Sequence, residues 1–151
     1  MPETHITKTD NESHLKTIGN LKVQDVMTKK VVTVGRKTTV GELKRLFDKH
    51  DYNAFPVVEG GNLVGIVTKL DFMKIFSMGM EFRFSNYLEL FSDDVEDIMR
   101  GAIVTISPEA TISKALDYMV EFKLRSLPVT KGRELVGIIT VSDIMKHIQI
   151  E

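Results

Sequence analysis

The chain has 151 residues, 42% of them apolar and 27% charged, a composition typical of a globular protein that can bury its own core. It contains no cysteine, which excludes disulfides, thiolate metal sites and a catalytic thiol. Its 20 basic and 21 acidic residues give a formal net charge of −1, without the positive excess of a nucleic-acid binder.

Apolar runs are too short for a membrane span, and the polar leader, residues 1–20, lacks the apolar centre of a signal peptide. The four histidines, His5, His14, His50 and His147, do not have metal-ligand spacing. We therefore predict a cytoplasmic protein with no membrane segment, no metal site and no nucleic-acid partner.

Two copies of one sequence pattern account for most of the chain. Val23 to Lys74 align with Val95 to Lys146 without a gap, at an offset of 72 residues. The identical pairs include Asp25 with Asp97, Met27 with Met99, Pro56 with Pro128, Gly65 with Gly137, Thr68 with Thr140, and Asp71 with Asp143. We predict a first repeat at 21–76, a connection at 77–93 and a second repeat at 94–151, with the repeats packed around a pseudo-two-fold axis.

In the first repeat, VVTV (31–34) predicts a strand, because it is short, β-branched and bounded by turn residues. The next segment, TVGELKRLFDKHD, predicts a helix with its apolar residues on one face and a capping box formed by Thr39 and Glu42. FPVV and LVGIV, joined by EGGN, predict two strands of a hairpin, and DFMKIF predicts a final helix.

The second repeat predicts the same order. IVTI (103–106) is the strand, TISKALDYMVEF the helix, LPVT and LVGII the hairpin around KGRE, and DIMKHI the final helix. The apolar residues of the long helix, Ile112, Ala115, Leu116, Met119 and Val120, are predicted to lie on one helical face. The methionines at 27, 73, 99 and 145 recur with the repeat and are predicted to be core. The fold class is α/β (α+β), each repeat reading strand, helix, strand, strand, helix.

This order and its motifs resemble the cystathionine-beta-synthase (CBS) domain, in two tandem copies. The residues that carry the resemblance are DVMT and DIMR before each first strand, FPVV and LPVT, and above all GIVTKLD and GIITVSD. The resemblance extends from Val23 to His147.

The sequence leaves open two interpretations of the repeated Thr and Asp pairs, Thr68 with Asp71 and Thr140 with Asp143. Threonine followed three residues later by an acid is a capping box, which needs no ligand. A carboxylate at such a junction can also accept hydrogen bonds from both vicinal hydroxyls of a ribose, while it repels phosphate.

The resemblance implies that the cleft between the repeats holds up to two adenosine-type ligands: AMP, ADP, ATP or S-adenosylmethionine. It places ribose at the Thr and Asp pairs, purine at Ile66 and Ile138, and adenine-edge contacts at the backbone around Val32 and Val104. It places base and phosphate contacts at Tyr52 and Asn53 in the first repeat, and at Leu124 and Arg125 in the second. Arg125 is the predicted phosphate clamp. Because Asn53 stands at the equivalent place, the sequence predicts one tight site and one weak or empty site.

Two function classes follow. In the first, the chain is a small-molecule sensor that signals to an unidentified protein target; adenine nucleotide is its regulatory ligand, and it has no resident cofactor. In the second, the chain is a ligand-independent dimerising scaffold whose Thr and Asp residues only cap helices. Under both we expect a homodimer, because the resemblance implies pairing through helices, as is usual in the CBS family. The last helix keeps Ile144, Met145 and Ile148 apolar. No nucleophile and base pair is recognisable, so we predict that the chain is not an enzyme and that any regulated activity acts in trans.

Overall fold

The computed structural model of the protein describes residues 17–77 and 93–148. The predicted leader therefore lies outside the described residues up to residue 16, and the predicted connection lies outside them over 78–92. Mixed helices and strands are formed in both repeats. The elements of the first repeat are α1 (Val23–Val26), α2 (Val40–Lys49), β1 (Ala54–Glu59), β2 (Asn62–Thr68) and α3 (Lys69–Ser77). Those of the second are a 3₁₀ turn (Val95–Asp97), α4 (Ile112–Glu121), β3 (Ser126–Lys131), β4 (Glu134–Thr140) and α5 (Val141–His147).

Both predicted hairpins are present. β1 and β2 pair antiparallel from Ala54 with Thr68 to Glu59 with Asn62, with an irregularity after Val57. β3 and β4 are likewise hydrogen-bonded neighbours. The turn between β1 and β2 contains Gly60 and Gly61 at φ +57° and +81°, values that only glycine adopts without strain.

The predicted first strands, VVTV and IVTI, are each reduced to one bridging residue. Val34 pairs parallel with Val57, and Ile106 pairs parallel with Val129. Two backbone hydrogen bonds hold Val34, one to Pro56 O at 3.0 Å and one from Val58 N at 2.9 Å. Residues 31–33 and 103–105 make no ladder bonds of their own. The β-branched composition favours extended backbone but does not provide the partner strand that a longer ladder needs.

The two long helices differ in what they expose. In α2, Val40 and Leu43 are fully buried and Leu46 and Phe47 pack against the same core, as predicted. Thr39 and Glu42 form the predicted capping box.

In α4, Ile112, Ala115 and Met119 are buried. Leu116 and Val120 belong to the same apolar face, yet their exposed fractions are 38% and 78%, because the buried stripe is narrower than the apolar stripe of the sequence.

Two compact units divide the chain, and their boundaries cut across the repeats. Of the described residues, the Asp71 unit contains 32–77, 93–103 and 133–135, and the Asp143 unit contains 17–31, 104–132 and 136–148. Among the described residues, nine form the buried core of the Asp71 unit: Val34, Val40, Leu43, Phe55, Val57, Val67, Phe72, Ile75 and Val95. The core of the Asp143 unit consists of Ile18, Val23, Val26, Ile106, Ile112, Ala115, Met119, Leu127, Val129, Ile139 and Ile144. Each core thus includes residues from both sequence repeats.

The segments 21–28 and 93–100, which precede the predicted first strands, each belong to the unit built mainly from the other repeat. We call them the exchanged segments. In the Asp71 unit, Val40 N donates to Asp93 O at 2.8 Å and Val95 N donates to Thr38 O at 2.7 Å. In the Asp143 unit, Ile112 N donates to Leu21 O at 2.8 Å and Val23 N donates to Ala110 O at 2.8 Å. The same bonds recur at the offset of 72 residues, so the two repeats exchange these segments reciprocally.

Ion pairs also connect the exchanged segment of the Asp71 unit to the rest of that unit. Lys37 Nζ lies 3.3 Å from both Asp94 and Glu96 carboxylate oxygens. The hydrogen bond to Glu96, and next the one to Asp94, raises the pKa of Lys37 above its ordinary value. Arg36 pairs with Glu59 and with Glu96.

The paired Met and Gly residues of the repeats are explained by this exchange. A Cβ atom added to Gly65 would lie 2.5 Å from Met99 Sδ and 3.1 Å from Arg100 O. A Cβ atom added to Gly137 would lie 2.5 Å from Met27 Sδ and 3.0 Å from Thr28 O. Glycine is therefore favoured at both places, because a larger residue would have to displace the methionine side chain and shift the backbone oxygen of the exchanged segment.

Candidate functional site

The first candidate site lies where β2 passes into α3, in the Asp71 unit. Thr68 N donates to Asp71 Oδ2 at 3.0 Å, and Asp71 N donates to Thr68 Oγ1 at 3.0 Å. This reciprocal pair is a capping box at the start of α3. The capping role predicted from the sequence is therefore present, and it uses Oδ2 of the carboxylate.

The other carboxylate oxygen of Asp71 carries an ion pair. Arg100 Nε donates to Asp71 Oδ1 at 2.9 Å, and Lys74 Nζ lies 3.8 Å from the same oxygen. The Asp71 side chain is only 4% exposed, whereas that of Arg100 is 47% exposed. Arg100 therefore covers a nearly buried carboxylate and neutralises its charge.

The second candidate site repeats this geometry in the Asp143 unit, where β4 passes into α5. Thr140 N donates to Asp143 Oδ2, and Asp143 N donates to Thr140 Oγ1, both at 3.0 Å. Here the neighbour is a hydroxyl: Thr28 Oγ1 donates to Asp143 at 3.1 Å (Oδ1) and 3.3 Å (Oδ2). Asp143 is half-buried, and this hydrogen bond is exposed.

Thr28 and Arg100 were not among the residues predicted for the sites. They occupy equivalent places, 72 residues apart, at the end of DVMT and DIMR. The sequence did contain one sign of this difference. The repeats share the methionine at 27 and 99, but the residue after it carries a hydroxyl in the first repeat and a guanidinium in the second. The sequence could not show that these side chains reach Asp143 and Asp71, since that contact depends on the exchange of segments.

The segments before the two prolines lie beside the capping boxes. Lys69 N donates to Asn53 O at 2.9 Å, and Val141 N donates to Arg125 O at 2.9 Å. The structure thus brings Tyr52 and Asn53 together with Thr68 and Asp71, and Leu124 and Arg125 together with Thr140 and Asp143.

The side chains of these segments differ in what they contact. The exposed Tyr52 ring stacks on His50 with the ring centroids 5.0 Å apart, which places His50 against an aromatic ring at the end of α2. Leu124 packs against the core of the Asp143 unit. Arg125 is exposed and makes no ion pair with any residue in 17–77 or 93–148, so its guanidinium is available to a ligand.

The predicted apolar site residues form two pairs, Ile66 with Ile138 and Val32 with Val104. Val67 and Ile139 are buried in the cores, whereas their neighbours Ile66 and Ile138 are half-buried on the opposite strand face. Val32 and Val104 are partly buried against the core of their own units. The twelve predicted residues therefore separate into two sets of six, one in each unit.

Within the described ranges, no cluster of three histidine or acidic side chains could hold a metal ion. Over the same ranges, none of the helices combines the length and apolar character that a membrane crossing requires.

Comparison with known proteins gives the family. The CBS domain profile matches residues 23–77 and 95–150. The CBS domain-containing protein YhcV of Bacillus subtilis is 29% identical over 123 residues, which cover 81% of this chain and 81% of YhcV.

Solved structures agree with this assignment. Protein MJ1225 of Methanocaldococcus jannaschii superposes with a TM-score of 0.81 at 28% identity, over 94% of this chain and 53% of MJ1225. The CBS domain pair of protein MJ0100, solved with 5′-methylthioadenosine and S-adenosylmethionine, superposes with a TM-score of 0.70 at 25% identity, over 84% and 94% of the two chains.

Several curated relatives are longer than this chain. It spans 33% of protein MJ1404 of M. jannaschii and 23% of the inosine-5′-monophosphate dehydrogenase of Korarchaeum cryptofilum. The profile covers both copies of the repeat, from the DVMT or DIMR segment to the final helix. The chain therefore belongs to the CBS domain family, as two tandem CBS domains.

Proposed function

We propose that this chain is a regulatory module that binds an adenosine-type ligand and signals its presence to a partner protein. The candidate ligands are AMP, ADP, ATP and S-adenosylmethionine. Their ribose hydroxyls would donate to Asp143, and at a second site to Asp71, with Thr140 and Thr68 beside them. Ligand binding would alter partner binding to the extent that one arrangement of the protein binds ligand better than another.

The Asp143 carboxylate is the observation that carries this proposal. Its capping hydrogen bond involves Oδ2, while Oδ1 accepts only the exposed Thr28 hydroxyl among the described residues. An ionised carboxylate offers about four acceptor positions, so two ribose hydroxyls can be added without breaking the capping box.

Purine and phosphate have candidate partners in the same unit. Ile138 presents a half-buried apolar surface outside the core, and the backbone around Val104 could meet the adenine edge. The backbone of Arg125 lies beside the capping box, and its guanidinium, which forms no ion pair with the described residues, is suited to phosphate. Asn53 takes its place in the Asp71 unit, which supports two unequal sites. The complex of MJ0100 with two adenosine derivatives supports the ligand class.

Thermal unfolding with candidate ligands tests this proposal. AMP, ADP, ATP and S-adenosylmethionine would each be added at about 100 times a plausible Kd, with GMP as the base-specificity control. Saturation at that excess adds about 2.7 kcal/mol, and each kcal/mol raises the midpoint of a domain of this size by about 2 to 4 °C. We expect a rise of roughly 5 to 10 °C with at least one adenosine ligand and none with GMP. Curves that all overlay the ligand-free curve would contradict the proposal.

A ligand-independent scaffold is the second candidate function. Two observations favour it: both capping boxes are complete without any ligand, and several apolar side chains are exposed on helices. The exposed residues are Leu70 and Met73 on α3, Leu116 and Val120 on α4, and Val141 and Met145 on α5.

The core prediction was therefore wrong for Met73 and Met145, whereas Met27 and Met99 do pack against core residues.

Under either function we propose a homodimer formed through these helices. Of the three residues that the sequence suggested for the dimer contact, only Met145 is exposed. Ile144 is buried in the core of the Asp143 unit, and Ile148 packs against that core. Sedimentation equilibrium is expected to give twice the 17.1 kDa chain mass. A single-chain mass at micromolar concentration would contradict the dimer.

The proposed module is not itself an enzyme. Relatives such as the inosine-5′-monophosphate dehydrogenase are far longer than this chain, so the activity in their names is not assigned to it. The regulated activity would belong to a partner and act in trans. The cytoplasmic location stays a prediction from the sequence.

A further inference from the structure

One position distinguishes the two candidate sites while their backbones remain equivalent. In the Asp143 unit, Thr28 N donates to Ile138 O at 2.8 Å and Ile138 N donates to Thr28 O at 3.0 Å. In the Asp71 unit, Arg100 and Ile66 exchange the same two bonds at 2.9 and 3.0 Å. Position 28 or 100 therefore places a side chain beside the aspartate in both units, and only the type of side chain changes.

Both oxygens of the Asp71 carboxylate already have partners, and two of these partners are positively charged. Arg100 holds Oδ1, Lys74 lies near the same oxygen, and the capping bond holds Oδ2. A hydrogen bond between ionised partners is roughly twice as strong as a neutral one. A ribose that binds here must displace or share this guanidinium, and it must reach a side chain that is 4% exposed.

The Asp143 carboxylate has a weaker competitor. The hydroxyl of Thr28 is neutral and can rotate away or accept a hydrogen bond itself. Lys146, the equivalent of Lys74, makes no ion pair with Asp143, and no other basic side chain in the described ranges does so. The half-buried carboxylate can therefore accept a ribose at lower cost.

We propose that the residue at position 28 or 100 determines which of the two sites accepts a ribose. Thr28 leaves Asp143 open, and Arg100 keeps Asp71 closed as a built-in competitor for the sugar. This inference rests on the proposed function and goes beyond it by naming a specificity-determining residue supplied by the exchanged segment.

Exchanging the two residues tests the inference. Isothermal titration with S-adenosylmethionine and with AMP would be carried out on the wild type, Arg100→Thr, Thr28→Arg and the double exchange. We expect the wild type to bind one ligand per chain and Arg100→Thr to bind two. Thr28→Arg should weaken binding about 10- to 100-fold, the range expected when a charged hydrogen bond must be displaced. The double exchange should again bind one ligand, now lost on Asp71→Ala and not on Asp143→Ala.

Matched controls separate this effect from loss of charge or loss of folding. Arg45→Thr removes an exposed arginine of the same unit, and should bind as the wild type does. Arg100→Gln removes the charge but keeps a polar, unbranched stem that ends near the position of the arginine Nε, and should also gain the second site. Thermal unfolding of each variant checks that it is folded.

Two results would overturn the inference while leaving the proposed function intact. The first is an unchanged stoichiometry in both Arg100→Thr and Arg100→Gln. The second is a loss of affinity in these variants, which would mean that Arg100 holds the ligand instead of excluding it. If neither the wild type nor any variant binds S-adenosylmethionine, AMP, ADP or ATP, the proposed function fails and this inference fails with it.

Discussion

Replacing Asp143 by alanine is expected to abolish ligand binding at the Asp143 site while the protein remains folded. The substitution removes a charged acceptor of two ribose hydrogen bonds, each contributing about 1.5 to 3 kcal/mol, so affinity should fall at least about 100-fold. It also removes the acidic partner of the Thr140 capping box, at a cost to stability on the order of 1 kcal/mol. Titration calorimetry with S-adenosylmethionine and urea unfolding measure the two effects separately.

Glu42→Ala is the matched control, because Glu42 is also the acidic residue of a complete capping box. Thr39 N donates to Glu42 Oε2 at 3.0 Å, and Glu42 N donates to Thr39 Oγ1 at 3.1 Å. Both variants should lose similar stability, and only Asp143→Ala should lose affinity. If both variants lose stability equally and ligand binding is unchanged in both, Asp143 is only a helix cap and the scaffold function is favoured.

A fragment limited to residues 21–76, the first sequence repeat, is expected not to fold, whereas residues 32–103 are expected to fold. The shorter fragment lacks Val95, which is fully buried in the core of the Asp71 unit, and Ile98 and Met99, which pack against that core. Burying a Val, Ile or Met side chain contributes about 1.5 to 3 kcal/mol, and a whole domain is stabilised by only about 5 to 15 kcal/mol.

Far-UV circular dichroism and urea unfolding of the two fragments check this prediction. The fragment 32–103 should show a cooperative transition, and the fragment 21–76 should show none. The prediction concerns the exchanged segment, so Val95→Asp in the fragment 32–103 should remove the transition again. An equal unfolding midpoint for 21–76 and 32–103 would mean that the exchanged segment contributes nothing to the core.

Local sequence patterns determined a large part of the fold. The repeat predicted tandem copies of one unit, and the family profile confirms two CBS domains. The hairpins were predictable because glycine-containing turns join β-branched runs, and the α2 helix because its apolar spacing and Thr39 capping box act within a few residues. Thr68 with Asp71 and Thr140 with Asp143 could likewise be identified as capping boxes, since a box needs only residues three apart.

Only the tertiary structure decided features that depend on distant partners. The predicted strands VVTV and IVTI shrank to single bridges because a ladder requires a neighbour of matching length. Leu116 and Val120 are exposed because packing, and not apolar spacing, decides how wide the buried stripe of α4 is.

The candidate site shows the same division. The sequence identified Asp71 and Asp143, but their neighbours Arg100 and Thr28 come from the opposite repeat. Because each repeat lends the other its DVMT or DIMR segment, the charge next to each aspartate is set by a residue far away in sequence. The sequence by itself therefore determined the repeats and their capping aspartates, and the exchange of segments decided that one carboxylate is covered by a guanidinium and the other by a hydroxyl.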